Sequence, residues 1–300
     1  MIIPQEVLDY RAMQRGREAE RMANGRGELF REGLREIYDL PYRGDGNARH
    51  TLDVIRPDTD EVLPVVIEIH GGAYIGCEKN INRLHARWYA RHGFAVVNGD
   101  YTLHPEGDFP TVMGELADIV RWVCAHAEAY ALDPAHICMS GDSAGGHLVL
   151  LYAMLQGNKA LQRRFGVSLE AERVKAVAAT CPAFRLLTGD DEEAELSSLI
   201  PLMYPEGIDR ERLRDLDITR LCRESRFPPV IVITTPGDEL LYEEDLRLEA
   251  ALESSGREYA FLSYERETHP LGHVFNVLFP EFEESVKANT DILEFFRDHK

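Results

Sequence analysis

The sequence predicts an α/β fold, a mostly parallel eight-stranded sheet flanked by helices, with a helical cap. Three observations predict it. Eight strand-like segments alternate with helix-like ones after an opening hairpin. Several of those strands, such as residues 64–69 and 230–235, are β-branched runs of the kind buried on both faces of a parallel sheet. Finally, the apolar run ending at Met139 passes through Gly141-Asp142-Ser143-Ala144-Gly145 directly into a helical pattern. In that setting G-x-S-x-G is a sharp strand-to-helix turn with the serine at its apex. The two glycines remove side chains that would clash with the bend.

Composition narrows the class. A chain of 300 residues that is 44% hydrophobic and 28% charged can build one large core. Its formal net charge of -19 argues against nucleic acid and anionic membranes as partners. No apolar run approaches the ~20 residues of a membrane span. The five cysteines (Cys77, Cys124, Cys138, Cys181 and Cys222) are odd in number and scattered. That pattern suits reduced thiols better than a disulfide framework or a zinc site, and it implies a cytoplasmic protein. The first twenty residues lack the basic-then-apolar pattern of a signal peptide.

Along the chain, residues 1–35 read as a charged arm of two short helices separated by Asn24-Gly25-Arg26-Gly27. Strands follow at 36–42 and 50–56, joined by the turn residues 43–47, and then at 64–69. A helix over 81–92 leads to a strand at 94–98, and a helix over 112–130 leads to the strand at 136–140. The helix after Ser143 runs to Leu155. Further strands are expected at 174–180, 230–235 and 258–264, with helices over 243–254 and 281–298. Residues 184–226 interrupt the alternation. They hold the acidic run 189–193, an apolar patch at 199–204 and a charged helix-like stretch over 209–224. The chain therefore reads as one domain over 1–300, with 1–35 and 184–226 as cap elements.

Serine acyl transfer needs a base, a group to orient it and donors for the oxyanion. Each has a candidate at a strand end. Strand 65–69 runs into His70-Gly71-Gly72-Ala73-Tyr74, which resembles the HGGG loop of many esterases. The expected oxyanion donors are the amides of Gly71, Gly72 and Ala144. His70 reads as a buttress of that loop. Asp238 directly follows strand 230–235 and is the candidate acid, with Glu239 and Asp245 as rivals. His273 is the candidate base, with Gly272 before it and Phe275 two residues after. His269 is its competitor. The order Ser143, Asp238, His273 is that of α/β-hydrolases.

The whole pattern resembles the hormone-sensitive lipase branch of α/β-hydrolases, microbial carboxylesterases and lipases, over about residues 60–295. Residues 141–146 match its GDSAGG motif, residues 100–106 are similar to its DYRLAPE segment, and Phe109-Pro110 match the FP that follows. Ala73, Thr102, Val274 and Glu239 depart from the family pattern without removing a catalytic group. The resemblance implies a serine carboxylesterase acting on short-chain acyl esters, acetyl esters included, with no metal or organic cofactor. The expected partner is a small-molecule ester, and a homo-oligomer stays open. The alternatives are a non-catalytic ligand binder of the same fold, as plant gibberellin receptors are, and a peptidase or lipase relative. Leu199, Leu202, Met203 and Tyr204 are candidates for limiting the acyl chain, and Cys77 is a candidate for lining the pocket.

Overall fold

The computed structural model describes residues 3–170, 173–184, 198–266 and 270–300. In chain order, α1 (Gln5–Arg21) precedes β1 (Leu34–Pro41), β2 (Thr51–Pro57), β3 (Leu63–Ile69), α2 (Arg83–Arg91), β4 (Ala95–Gly99), α3 (Phe109–Ala125), α4 (Ala127–Tyr130) and β5 (Leu132–Asp142). After them come α5 (Ala144–Gln156), α6 (Lys159–Phe165), β6 (Val174–Thr180), α7 (Ile200–Met203), α8 (Arg210–Arg214) and α9 (Ile218–Glu224). The chain closes with β7 (Val230–Thr234), α10 (Tyr242–Ser255), β8 (Tyr259–Ser263), α11 (Phe275–Leu278) and α12 (Glu283–Asp298).

The eight strands form one sheet in the order β1-β2-β4-β3-β5-β6-β7-β8. β1–β2 and β2–β4 pair antiparallel, and every other neighbouring pair is parallel. The β-branched runs explain why. Side chains alternate across a strand, so Val65, Ile67 and Ile69 enter one apolar layer with Met139 and Val177, while Val66 enters the other with Val96 and Cys138. α3 and α5 cover the first face. On the second face, Trp88 and Tyr89 of α2 pack with Ile292, Leu293 and Phe296 of α12. Every residue of α5 is buried, which is why its sequence is apolar all round.

Register sets the position of the site. Ile69 lies opposite Gly141 across β3–β5, and Asp142 lies opposite Thr180 across β5–β6. The loops that follow these strands therefore leave the sheet side by side at its C-terminal edge.

Two expectations need correction. The second helix of the arm does not form: a three-residue 3₁₀ turn (Arg26–Glu28) is followed by Phe30 at φ 60° and Gly33 at φ 77°. Left-handed residues cannot propagate a right-handed helix, and Leu34 instead opens β1. The helix expected over 112–130 begins earlier, because the Asp108 side chain caps it by accepting from the Thr111 amide. It then breaks at His126, whose backbone is not helical. The acidic run 189–193 lies outside the described residues. Among the described residues no helix is long and apolar enough to cross a membrane.

The arm is fastened by arginines. Arg11 is buried; its Nε donates to Ile75 O at 2.7 Å, its Nη2 to His104 O at 3.0 Å, and it pairs with both carboxylate oxygens of Glu106 at 2.6 and 2.7 Å. Arg26 holds Glu281 at 2.7 Å and Leu278 O at 2.6 Å. Tyr10 packs so closely on Gly76 that a Cβ there would sit 2.6 Å from its ring. Replacing Arg11 by Ala is expected to cost about 1–3 kcal/mol, discounted because Glu106 is partly exposed. It should also make the 4–35 segment sensitive to limited proteolysis before the sheet unfolds. Denaturant melts and timed digestion of the variant check both.

Candidate active site

The turn at Ser143 is built by close backbone approach. Its φ of 52° and ψ of -119° put a non-glycine residue in a sparsely populated region, a strain tolerated when surroundings over-determine it. Those surroundings are explicit. The Ser143 amide donates to Thr180 O at 2.9 Å, and Ser143 O accepts from the amides of His147 and Ala183, each at 3.0 Å. A Cβ on Gly141 would lie 2.4 Å from Gly145 O, and one on Gly145 only 2.1 Å from Ile69 O. Neither position has room for any side chain. Ser143 itself stays partly accessible between buried neighbours.

β3 delivers the glycine loop against this turn. A Cβ on Gly71 would lie 2.7 Å from the Asp142 carboxylate and 3.0 Å from Ser143 Cβ. Gly72 has φ 112°, and its carbonyl accepts from the amides of Ile75 and Gly76 at 3.2 and 2.9 Å, curling the loop tightly. His70 is fully buried, stacks on Tyr101 with ring centroids 4.4 Å apart, and bonds Gly71 O through Nδ1 at 2.7 Å. Its own carbonyl accepts from Tyr101 OH at 2.9 Å. One expected donor is differently engaged. The Gly71 amide donates to Asp142 Oδ1 at 3.1 Å, and that oxygen also accepts from Asn82 Nδ2 at 2.8 Å. A buried carboxylate draws the nearest N–H to itself, so this amide points at Asp142 and not at a substrate oxygen. The Gly72, Ala73 and Ala144 amides have no acceptor among the described residues.

The acidic and imidazole candidates meet. His273 Nδ1 lies 2.6 Å from Asp238 Oδ2, and Asp238 Oδ1 accepts from the Leu240 and Leu241 amides at 3.2 Å each. Burial alone would raise the Asp238 pKa. The bond to His273, the imidazole charge, the neighbouring Cys181 thiol and the Leu240 amide outweigh it, holding the carboxyl below its ordinary range. With Nδ1 committed to the carboxylate as donor, Nε2 is left as the acceptor. Gly237 makes the meeting possible: a Cβ there would lie 2.1 Å from Leu271 O, so only glycine lets the Asp238 turn dock on the segment carrying His273. The rival acids are elsewhere. Glu239 is exposed, while Asp245 is buried in α10, accepts from Thr234 Oγ1 at 2.5 Å and is driven by burial towards its neutral form. His269 lies outside the described residues.

Ser143 and His273 open on one cavity of about 430 Å³. Its lining combines the apolar side chains of Ile81, Leu199, Leu240, Leu241, Val274 and Leu278 with Tyr10, Gln14, Arg17, Glu18 and Arg21 of α1. Cys77 also lines it, and burial pushes its thiol pKa up to about 12, so it is an inert wall. Of the other expected pocket residues, Leu199 lines the cavity, whereas Met203 and Tyr204 face a separate groove. Cys181, Asp238 and His273 place ligand-type atoms within 4.8 Å of one another, but the histidine and the carboxylate already face each other in a hydrogen bond.

Sequence reasoning placed residues 1–35 in the cap but singled out neither the cavity-lining residues of α1 nor the Asp142 carboxylate. The residues at 10, 14, 17, 18 and 21 follow helical spacing and read as a solvated stripe. The signal available was their apolar complement, Val7 and Ile3, which packs into the core.

The chain is similar to known esterases in sequence and in fold. The BD-FAE family model matches residues 52–200. The chain is 28% identical over 219 residues to an esterase of Gibberella moniliformis, covering 70% of this chain and 67% of the relative. It is 25% identical over 232 residues to the isoprenylcysteine alpha-carbonyl methylesterase ICME of Arabidopsis thaliana, covering 74% and 54% respectively. Among solved structures, esterase B from Lactobacillus rhamnosis superposes with a TM-score of 0.87 at 26% identity, covering 98% of this chain and 94% of that one. The chain is thus one of the α/β-hydrolase carboxylesterases. Its activity is that of an enzyme hydrolysing carboxylic esters.

The glycine contacts make a stringent test of the turn. Gly145→Ala must push a methyl into Ile69 O, so a loss of about 3 kcal/mol or more, or failure to fold, is expected. Gly16→Ala, where nothing lies within 4 Å, should leave stability unchanged or raised. Paired denaturation curves decide it.

Proposed function

We propose that this protein hydrolyses short-chain acyl esters through a serine acyl-enzyme, with Ser143 as nucleophile, His273 as base and Asp238 as the group that orients it. The observation that carries the reading is the 2.6 Å bond between His273 and Asp238 at the edge of the cavity that exposes the strained Ser143. His273 Nε2 takes the hydroxyl proton as Ser143 Oγ attacks the ester carbonyl. The tetrahedral oxyanion collapses, the C–O bond breaks, and the imidazolium returns its proton to the leaving alcohol. Water then attacks the acyl-enzyme with His273 again as base, releasing the acid and free Ser143. Asp238, ionised by its own donors, stabilises the imidazolium in both halves.

The oxyanion donors in this reading are the Gly72 and Ala144 amides, joined by Ala73, with Gly71 serving through Asp142 to hold the loop. Ala144 stands at the first turn of α5, where helix amides have no internal acceptor. The α1 arm and the segment around Leu199 form the cap of the cavity. Short acyl chains suit the cavity volume, and the related esterase B has been solved inhibited by a C4-C4 tributyrin phosphonate.

Turnover of p-nitrophenyl acetate, butyrate, octanoate and palmitate tests the proposal, with Ser143→Ala as control. Acetate and butyrate should be the best substrates, and the variant should lose roughly 10⁴-fold or more in kcat while keeping its fold. Activity retained by Ser143→Ala would sink the mechanism, and a maximum at octanoate or beyond would sink the short-chain preference.

A further inference from the structure

Arg21 lines the cavity, and the proposed reaction leaves its charge unused. The other arginines of comparable burial have partners: Arg11 has Glu106, Arg26 has Glu281, Arg87 has Glu36, and Arg56 is ringed by main-chain carbonyls. Among the described residues the Arg21 guanidinium makes a single hydrogen bond, from Nη2 to Ile81 O at 2.8 Å. Its Nε is buried without an acceptor, and no carboxylate pairs with it among the described residues. It lines the same cavity as Ser143. Burial, and the nearby charge of Arg26, lower its pKa, while Glu18 and Asp142 act in the opposite direction, so the cation sits within electrostatic reach of the nucleophile turn. A half-desolvated guanidinium without a counter-charge costs stability unless a ligand completes it.

Resting on the esterase reading above, we propose that Arg21 binds an anionic group of the substrate, so that the preferred esters carry a free carboxylate near the scissile bond. The cavity lining holds both kinds of group that such a molecule needs: Leu199, Leu240, Leu241, Val274 and Leu278 for its aliphatic part, and Arg21 for its acid. Glu18 lines the same cavity but makes no close ion pair with Arg21 among the described residues; burial, its largest influence, raises its pKa, and the Arg21 charge acts in the opposite direction. Arg17, exposed at the same face, adds a second positive charge. A singly charged carboxylate fits this balance better than a dianionic phosphate, which the adjacent Glu18 and the net charge of -19 would oppose. The planar fork of a guanidinium also matches a carboxylate in two parallel bonds.

The test uses two isosteric pairs. 4-Acetoxybenzoate against 4-acetoxybenzamide places the charge on the alcohol side, and 4-nitrophenyl hemiglutarate against 4-nitrophenyl 4-carbamoylbutyrate places it on the acyl side. In at least one pair the acid should be favoured roughly tenfold in kcat/KM at low ionic strength. Arg21→Gln should bring that ratio to about 1, and Arg21→Lys should leave an intermediate value. Glu18→Gln should raise the ratio, an effect opposite in sign that a general loss of folding cannot imitate. Acid-to-amide ratios near or below 1 in both pairs for the unmodified enzyme, or a ratio unmoved by Arg21→Gln, would overturn the inference. If p-nitrophenyl acetate and the amides are still cleaved in a Ser143-dependent way, that failure belongs to the anion site alone. If no ester is cleaved at all, the esterase mechanism itself has failed.

Discussion

The architecture depends on how closely the β5–α5 turn presses against the end of β3. Gly145 lies so near Ile69 O, and Gly71 so near Asp142, that two loops distant in sequence pack with no room for a side chain between them. From this contact the rest follows. Ser143 is forced into its positive-φ conformation, its hydroxyl is left accessible, and the glycine loop is held beside it. Preorganised donors and a preorganised nucleophile stabilise a transition state without rearranging at the moment of reaction. The strain is stored locally and sustained by the sheet, whose parallel register puts all the contributing strand ends level.

A second close approach does the same for His273, the base of the proposed mechanism. Gly237 lets the turn after β7 touch Leu271 O, which sets the distance between Asp238 and His273. Behind both approaches runs a buried polar network. Asn82 links Asp142 to Glu68, Glu68 pairs with His85, and His85 bonds Asn289, which in turn holds Asn276 three residues beyond His273. Burial raises the Glu68 pKa and on its own would lower that of His85, whose attraction to Glu68 prevails. The Ser143 turn and the His273 loop are thereby tied to one framework beneath the sheet edge, while the arm is attached by the arginine contacts of Arg11 and Arg26. Floor and roof are different kinds of structure, and the proposed anion preference assigns substrate selection to the roof.

Much of this is legible in the sequence. The strands are, because β-branched runs buried on both faces have few alternatives, and β6 coincides with its expected limits at Val174–Thr180. Ser143 is, because only a sharp turn needs glycine at both flanking positions. The approach of Asp238 to His273 is legible from chain order and strand ends. Helix limits were less so: nothing in the local pattern shows that Phe30 takes a left-handed conformation, since that is imposed by the path into β1. The Gly71 amide was assigned to the substrate because motif spacing carries no information about where a neighbouring carboxylate turns. The α1 face escaped notice for a related reason, as a polar stripe reads as solvated until the fold folds it over a cavity.

The central claim is that Ser143, activated by the His273–Asp238 pair, becomes covalently attached to the acyl group. Intact-protein mass spectrometry with peptide mapping after treatment with a p-nitrophenyl alkylphosphonate tests it most directly. The account predicts one phosphonyl group per chain, placed on Ser143 and absent from both Ser143→Ala and, on the same time scale, His273→Gln. Labelling of another residue, or labelling of Ser143 at an unchanged rate without His273, would contradict it.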